Sequence, residues 1–280
     1  MHYDTYTLER PDHTALVVHR WTPDTPARAL IVLGHGYGEH AGRYQHVAEI
    51  LTTRGYSIDA PDYRGHGKTA QGTFGYFEHF DKLIDDLNAV VERVAAQGAG
   101  KPLFLLGHSV GGLLVLDYVL HYPSHIRGLV ASAPYVNTIA HVPAVQRTVL
   151  RALNKIAPHA AMVPPVDAKI LSHDPAIVKG YDADPLVHHG SVSARVSVEL
   201  LNAGDYVRAN AAKITLPALI LHGKSDALAM PEFGQTVYDR LGSPDKTIKL
   251  YDNFYHEILN ELGKEQVMAD IVAWLDAHMA

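Results

Sequence analysis

Residues 102–120, Pro-Leu-Phe-Leu-Leu-Gly-His-Ser-Val-Gly-Gly-Leu-Leu-Val-Leu-Asp-Tyr-Val-Leu, constrain the fold more than any other stretch of the chain. Leu103 to Leu106 is an apolar run with the length and composition of a fully buried strand. Leu113, Leu114, Leu116, Val119 and Leu120 then recur as on a helix buried over most of its circumference. Between the two lies Gly107-x-Ser109-x-Gly111, the pattern of a nucleophile elbow. Strand and helix cross too closely there for a Cβ, which is why glycine stands on both sides of the serine. The serine is held in strained backbone geometry with its hydroxyl above the sheet. A Gly-x-Ser-x-Gly string arises by chance in roughly one chain in ten of this size. Its position between a buried strand and a buried helix is what carries the inference.

The rest of the chain supplies the sheet that such a turn needs. Thr5 to Leu8 and Ala15 to His19 read as two short strands, Ala29 to Leu33 as a buried one, and Ser57 to Ala60 as another. Helical periods follow at Val47–Leu51 and from Phe80 to Ala96, with Gly98 as a stop. Gly128 to Ser132 is the strand after the elbow helix. Ala218 to Leu221, a helix near Pro231 to Leu241, the strand Thr247 to Leu250 and a helix from Lys264 to His278 close the chain. Strands alternating with helices predict the α/β class: a mostly parallel central sheet with helices on both faces. From Pro134 to about Ala212 the alternation stops and the period is helical. Residues 134–212 are therefore expected to form a helical cap inserted into a core made of 1–133 and 213–280. Within it Val145, Val149, Leu153 and Ile156 form a stripe opposite Arg147, Arg151 and Lys155, expected to pack the cap on the core. The alternative for such a helix is to lie on a membrane surface.

Composition narrows the function classes. The net charge of −6 disfavours a polyanionic partner, so nucleic-acid binding is not expected. The absence of cysteine excludes a thiolate nucleophile, thiolate metal ligands and disulfides. The N-terminal residues lack an apolar signal-peptide core, and no run reaches the roughly 18 apolar residues of a membrane span. A cytoplasmic protein, or one peripheral at a membrane surface, is the expectation.

A serine hydroxyl needs a base to take its proton. In this architecture the partners follow the nucleophile in the order Ser, Asp/Glu, His, on loops after late strands. Asp226 follows the strand ending at Leu221, and His256 follows the last strand. His256 would accept the Ser109 proton, and Asp226 would fix its tautomer. Asp252 is the rival acid, being close to His256 in sequence. The oxyanion needs two preorganised N–H donors. Val110, after the serine, and Tyr37, in Gly34-His-Gly-Tyr-Gly38 after an early strand, are the candidates.

His35-Gly-Tyr-Gly-Glu-His-Ala-Gly-Arg-Tyr44, Asp62-Tyr-Arg-Gly-His-Gly67, Gly107-His-Ser-Val-Gly-Gly112, Tyr181-Asp-Ala-Asp-Pro-Leu186 and Tyr255-His-Glu-Ile-Leu-Asn-Glu261 carry a resemblance. With these motifs the chain resembles the monoacylglycerol lipases and lysophospholipases of the α/β-hydrolase superfamily, from about residue 30 to 261. The resemblance implies a serine esterase with a lid, acting without a cofactor on monoacylglycerols or similar single-chain esters. It also implies Ser109, Asp226 and His256 as the triad and Tyr37 and Val110 as oxyanion amides. Val110 replaces the family's usual methionine, Tyr37 is bulkier than its usual counterpart, and Asn253 stands where glycine is usual. Asparagine tolerates the left-handed conformation. A short-chain carboxylesterase, an amide-cleaving serine hydrolase and a non-enzymatic ligand receptor on the same fold are the alternatives.

Other motifs fail on inspection. Gly65-His-Gly-Lys-Thr69 ends like a phosphate loop, but position 62 is Asp. Gly34-x-Gly36 lacks the third glycine of a dinucleotide fingerprint, since position 39 is Glu. His256-Glu257 opens like a zinc-protease helix, but position 260 is Asn. His35/His40 and His188-His189 have no metal-ligand spacing behind them. Glu39, Arg43, Asp62 and Arg64 are expected to brace loops.

Overall fold

The computed structural model describes every residue except 71, 99 and 280. Its elements run β1 (His2–Glu9), β2 (Ala15–Thr22), β3 (Ala29–Gly34), α1 (Gln45–Thr53), β4 (Tyr56–Pro61), α2 (Phe80–Gln97), β5 (Leu103–His108), α3 (Val110–His121) and β6 (Ile126–Ser132). Then follow α4 (Ala144–Ile156), β7 (Ala161–Val163), α5 (Pro175–Ala183), β8 (Val192–Ser193) and α6 (Ala194–Asn210). The chain ends with β9 (Ala218–Gly223), α7 (Pro231–Arg240), β10 (Lys246–Tyr251) and α8 (Lys264–Ala277).

Eight strands form one sheet in the order β1-β2-β4-β3-β5-β6-β9-β10. β1 and β2 pair antiparallel, as do β2 and β4, and every other neighbouring pair is parallel. Side chains alternate between the two faces as the strand period requires. Ile31, Leu33, Phe104 and Leu106 join the layer under α1 and α8, whereas Leu30, Val32, Leu103 and Leu105 join the layer under α2 and α3. The register decides where function can sit. Gly34 pairs with Gly107, His108 with Ser132, Ser132 with Leu221, and Gly223 with Tyr251. The loops after β3, β5, β9 and β10 therefore leave the sheet side by side at one edge, where ligands bind in open parallel sheets.

Residues 134–212 hold α4, α5, α6 and the two-stranded β7–β8 pair. α6 is not a detached roof. Its Val196, Leu200, Ala203 and Val207 share one buried cluster with α3. The opposite side of α6 uses Ala194, Val198 and Leu201 to bury Leu150 of α4. This corrects the expectation for the α4 stripe. Leu150 is 5 % exposed, while Val145 and Ile156 are 77 % and 80 % exposed. Of the expected stripe, Leu153 packs beside Leu150, whereas Val145, Val149 and Ile156 are exposed, the first two at the cavity.

The elbow is held by close backbone contact. A Cβ on Gly107 would lie 2.1 Å from the Gly111 carbonyl oxygen, and one on Gly111 would lie 2.1 Å from that of Gly34. Gly111→Ala should therefore lower the unfolding free energy by about 3 kcal/mol, the upper end of overpacking costs. Urea unfolding measures this, and a midpoint equal to that of the wild type would contradict the packing account.

Candidate active site

Ser109 sits between β5 and α3 with φ 54° and ψ −117°, a conformation few non-glycine residues adopt. Its backbone is pinned on both sides. Its N–H donates to the Ser132 carbonyl at 2.9 Å, and its carbonyl accepts from Leu113 and Tyr135 at 3.0 and 2.9 Å. The hydroxyl is thereby set at the floor of a cavity of about 970 Å³.

Three of the predicted site residues meet there. The Ser109 Oγ lies 2.9 Å from His256 Nε2, and His256 Nδ1 lies 2.7 Å from Asp226 Oδ2. The carboxylate can only accept at Nδ1, so the imidazole carries its proton there and leaves Nε2 free to accept from the hydroxyl. Asp252, the rival acid, stands on the surface, its side chain 78 % exposed and paired with Lys224 at 2.7 Å. Asn253 beside it has φ 62°, the left-handed geometry that asparagine tolerates.

Asp226 is tied down more firmly than the sequence reveals. Its Oδ1 accepts the Leu228 and Ala229 amides at 2.8 and 2.9 Å. His222, fully buried on β9, lies 3.2 Å from Oδ2 through Nε2. That nitrogen is also 2.5 Å from the Ala229 carbonyl, so it is the protonated one. Burial would raise the Asp226 carboxyl, but His256 and His222 together hold it far below the usual carboxylate range. Burial likewise pulls the His256 imidazolium down, and the Asp226 charge and hydrogen bond more than offset this, leaving it raised. No sequence signal separates His222 from the other histidines among 19.

The loop after β3 is the other wall. His35 is fully buried, donates from Nδ1 to the Gly36 carbonyl at 2.7 Å and accepts the Tyr63 N–H on Nε2 at 3.1 Å. In a trans peptide C=O and N–H point oppositely. Gripping the Gly36 oxygen therefore fixes the direction of the Tyr37 N–H. A Cβ on Gly36 would lie 3.3 Å from Ser109 Cβ, so this peptide runs beside the serine. Val110 opens α3, where amide N–H groups have no helical partner. Tyr37 turns its ring edge-on to His66 and His188, and its hydroxyl donates to the Gly75 carbonyl at 2.7 Å. That hydroxyl is engaged by the fold and is not offered to a ligand.

Asp62 braces its loop by accepting the Ala41 and Lys68 amides, each at 2.8 Å. Arg64 pairs with Asp86 at 2.7 Å. His40 binds Asp184 at 2.9 Å. Among the described residues no group of three or more His, Asp or Glu side chains is placed to hold a metal ion.

The family described as serine aminopeptidase, S33, matches residues 25–263. A monoacylglycerol lipase of Mycolicibacterium smegmatis is 37 % identical over 264 residues, 94 % of either chain. The crystal structure of Paleococcus ferrophilus monoacylglycerol lipase superposes with a TM-score of 0.81 at 32 % identity, covering 93 % of this chain and 99 % of that one. A soluble variant of the Saccharomyces cerevisiae monoglyceride lipase, solved with a substrate analog, gives 0.85 at 25 % identity, covering 99 % and 96 %.

The geometry distinguishes the two aspartates. Asp226→Asn would present an amide to His256 Nδ1 and favour the wrong tautomer, so kcat for an ester should fall by about 10⁴. Asp252→Asn should change it less than twofold, because its carboxylate faces solvent. Steady-state kinetics on both variants check this, and the reverse order would contradict it.

Proposed function

This chain belongs to the serine aminopeptidase S33 family, and we propose that Ser109, His256 and Asp226 cleave monoacylglycerols and similar single-chain esters. The protein is a carboxylic ester hydrolase of the α/β-hydrolase fold. Ser109 Oγ attacks the ester carbonyl carbon as its proton passes to His256 Nε2. The tetrahedral oxyanion is stabilised by the Tyr37 and Val110 amides. The alcohol leaves with the proton from His256, giving an acyl-enzyme. Water, deprotonated by the same nitrogen, then attacks the acyl carbon and frees the acid and the serine. Because His256 must be neutral to begin, and its imidazolium is raised, kcat/KM should fall as pH drops through a midpoint above about 6.5.

The observation that carries the substrate reading is the division of the cavity. Leu150, Met162, Ile170, Leu171, Leu200 and Leu201 line it on the side of residues 134–212. Glu39, His108 and Glu257 line it together with Ser109 and His256. An apolar chain with a small polar head matches that division, and we read residues 134–212 as the cap that roofs the chain. An aminopeptidase needs a free carboxylate for the substrate ammonium. Glu39 and Glu257 are both bound to Arg43, which leaves Asp167 as the lining carboxylate without a cation among the described residues, so the ester reading over the amide one rests on the apolar lining.

The cap also supports contact with a lipid surface. Val145, Val149, Val163 and Met230 line the cavity and are exposed, and Ile156 continues the exposed stripe along α4. An apolar rim around the opening would let a single-chain lipid pass from a bilayer without crossing water. No helix among the described residues is long and apolar enough to cross a membrane.

A panel of monoacylglycerols tests the substrate. Each methylene buried in the cavity contributes about 0.8 kcal/mol, so four more should raise kcat/KM roughly 200-fold. Triacylglycerols should be far poorer. A maximum at acyl chains of about two to four carbons would leave a short-chain carboxylesterase instead. Ile156→Ser, on the exposed stripe but outside the cavity lining, should reduce co-sedimentation with phospholipid vesicles while leaving turnover of a water-soluble ester unchanged. Equal sedimentation would contradict the surface contact.

A further inference from the structure

A second set of charges adjoins the reacting groups without belonging to the chain Ser109–His256–Asp226. Glu39, 3 % exposed, lies in the loop after β3. Its Oε1 accepts the Gly36 N–H at 2.6 Å and the Tyr44 hydroxyl at 2.7 Å. Its Oε2 accepts from Arg43 Nη1 at 2.5 Å. The same guanidinium forks onto both oxygens of Glu257, at 2.8 Å each. Glu257 follows His256 in the chain, takes Asn260 Nδ2 on Oε2 at 2.7 Å, and donates its own N–H to the Leu171 carbonyl at 2.8 Å. Two negative charges and one positive thus bridge the loop of Gly36 and Tyr37 to the loop of His256.

Burying such a trio adds little stability over apolar side chains of the same volume. Its chemical consequences are larger. The Gly36 N–H belongs to the peptide preceding the one whose oxygen His35 grips, so Glu39 and His35 together orient two successive peptide planes beside Ser109. The trio also carries a net charge of −1 next to an imidazole that becomes positive during reaction. We propose that Glu39 and Glu257, clamped by Arg43, are positioning residues: Glu39 aims the amides beside Ser109, and the trio's net charge stabilises the imidazolium formed on His256.

The groups that face His256 account for the balance. Asp226 comes from the loop after β9 with His222 behind it, His108 from the end of β5, and the trio from the loops after β3 and β10. After burial and Asp226, Glu257 and Glu39 act next on the His256 imidazolium, and both raise it. His108, its ring 4.9 Å from that of His256, is pushed down to about 4 by burial and then by His256. It is neutral near pH 7 and adds no opposing charge. Burial would raise the Glu39 carboxyl, but Arg43, with His108 and His35, holds it at about 2, so its charge persists over the working pH range.

This inference rests on the reading of Ser109 and His256 as nucleophile and base, so Ser109→Ala is measured in the same ester assay. Glu39→Gln keeps an acceptor for the Gly36 N–H and removes the charge. It should lower kcat roughly tenfold with KM within about twofold, as loss of a charge-assisted hydrogen bond implies. Its acid limb of kcat/KM should move to lower pH by about half a unit to one unit, because the imidazolium loses a nearby negative charge. Glu257→Gln should move the limb in the same direction. Glu39→Ala also frees the Gly36 N–H and should lower kcat roughly 100-fold, so glutamine restores part of what alanine loses. If the alanine variant does not fold, the two glutamine variants decide. Limbs that stay in place in both of them, or a loss confined to KM or to Tm, would overturn the positioning role while an inactive Ser109→Ala left the nucleophile standing. Wild-type turnover by Ser109→Ala would overturn both.

Discussion

The crossing of β5 and α3 is the contact on which the rest of the site depends. The approach is so close that neither Gly107 nor Gly111 has room for a methyl group. The chain can turn there only by passing through a positive φ at Ser109, which costs of order 1–3 kcal/mol. Three hydrogen bonds to the Ser109 backbone and the buried apolar length of α3 hold the turn in place. The same turn sets the hydroxyl in the cavity, 2.9 Å from His256 Nε2. Parallel register does the rest, since the strand ends that carry Gly34, His108, Gly223 and Tyr251 are aligned across the sheet. A one-residue slip in any of these pairings would turn the loops away from Ser109.

What the sequence disclosed follows from which constraints are local. Gly107, Ser109 and Gly111 were legible because a steric requirement fixes residue type at fixed spacing. The sheet and its helices were legible from apolar periodicity, and Asp226 and His256 from chain order after strand ends. Spacing alone could not separate Asp226 from Asp252, because that choice is made by which loop faces Ser109. His222 was hidden for the same reason: it reads as one polar residue at the end of a buried strand. The α4 stripe shows the limit of periodicity most clearly. Val145, Val149 and Ile156 share a helix face, and a moment argument cannot tell whether that face meets core, cavity or solvent. Leu150 and Leu153 won the packing because α6 presents Ala194, Val198 and Leu201 to them.

Charge and apolar surface are partitioned around the serine in a way that bears on chemistry. Glu39, Arg43 and Glu257 form a closed set in which each carboxylate already has its cation, so they orient backbone without offering a free charge to a ligand. His35 and His108 are both driven toward the neutral form by burial, which leaves His256 as the imidazole raised by its surroundings. Above this polar floor, residues 134–212 contribute an apolar wall, and α6 joins that wall to the core through its contact with α3.

The strained serine of the elbow is the proposed attacking group. Incubation with a fluorophosphonate, followed by intact-mass and peptide mass spectrometry, tests it most directly. One adduct per chain is expected, on Ser109, formed at a rate that falls with acidification as His256 takes up a proton. An adduct on another serine, or labelling of Ser109 that is indifferent to pH and to loss of His256, would contradict it.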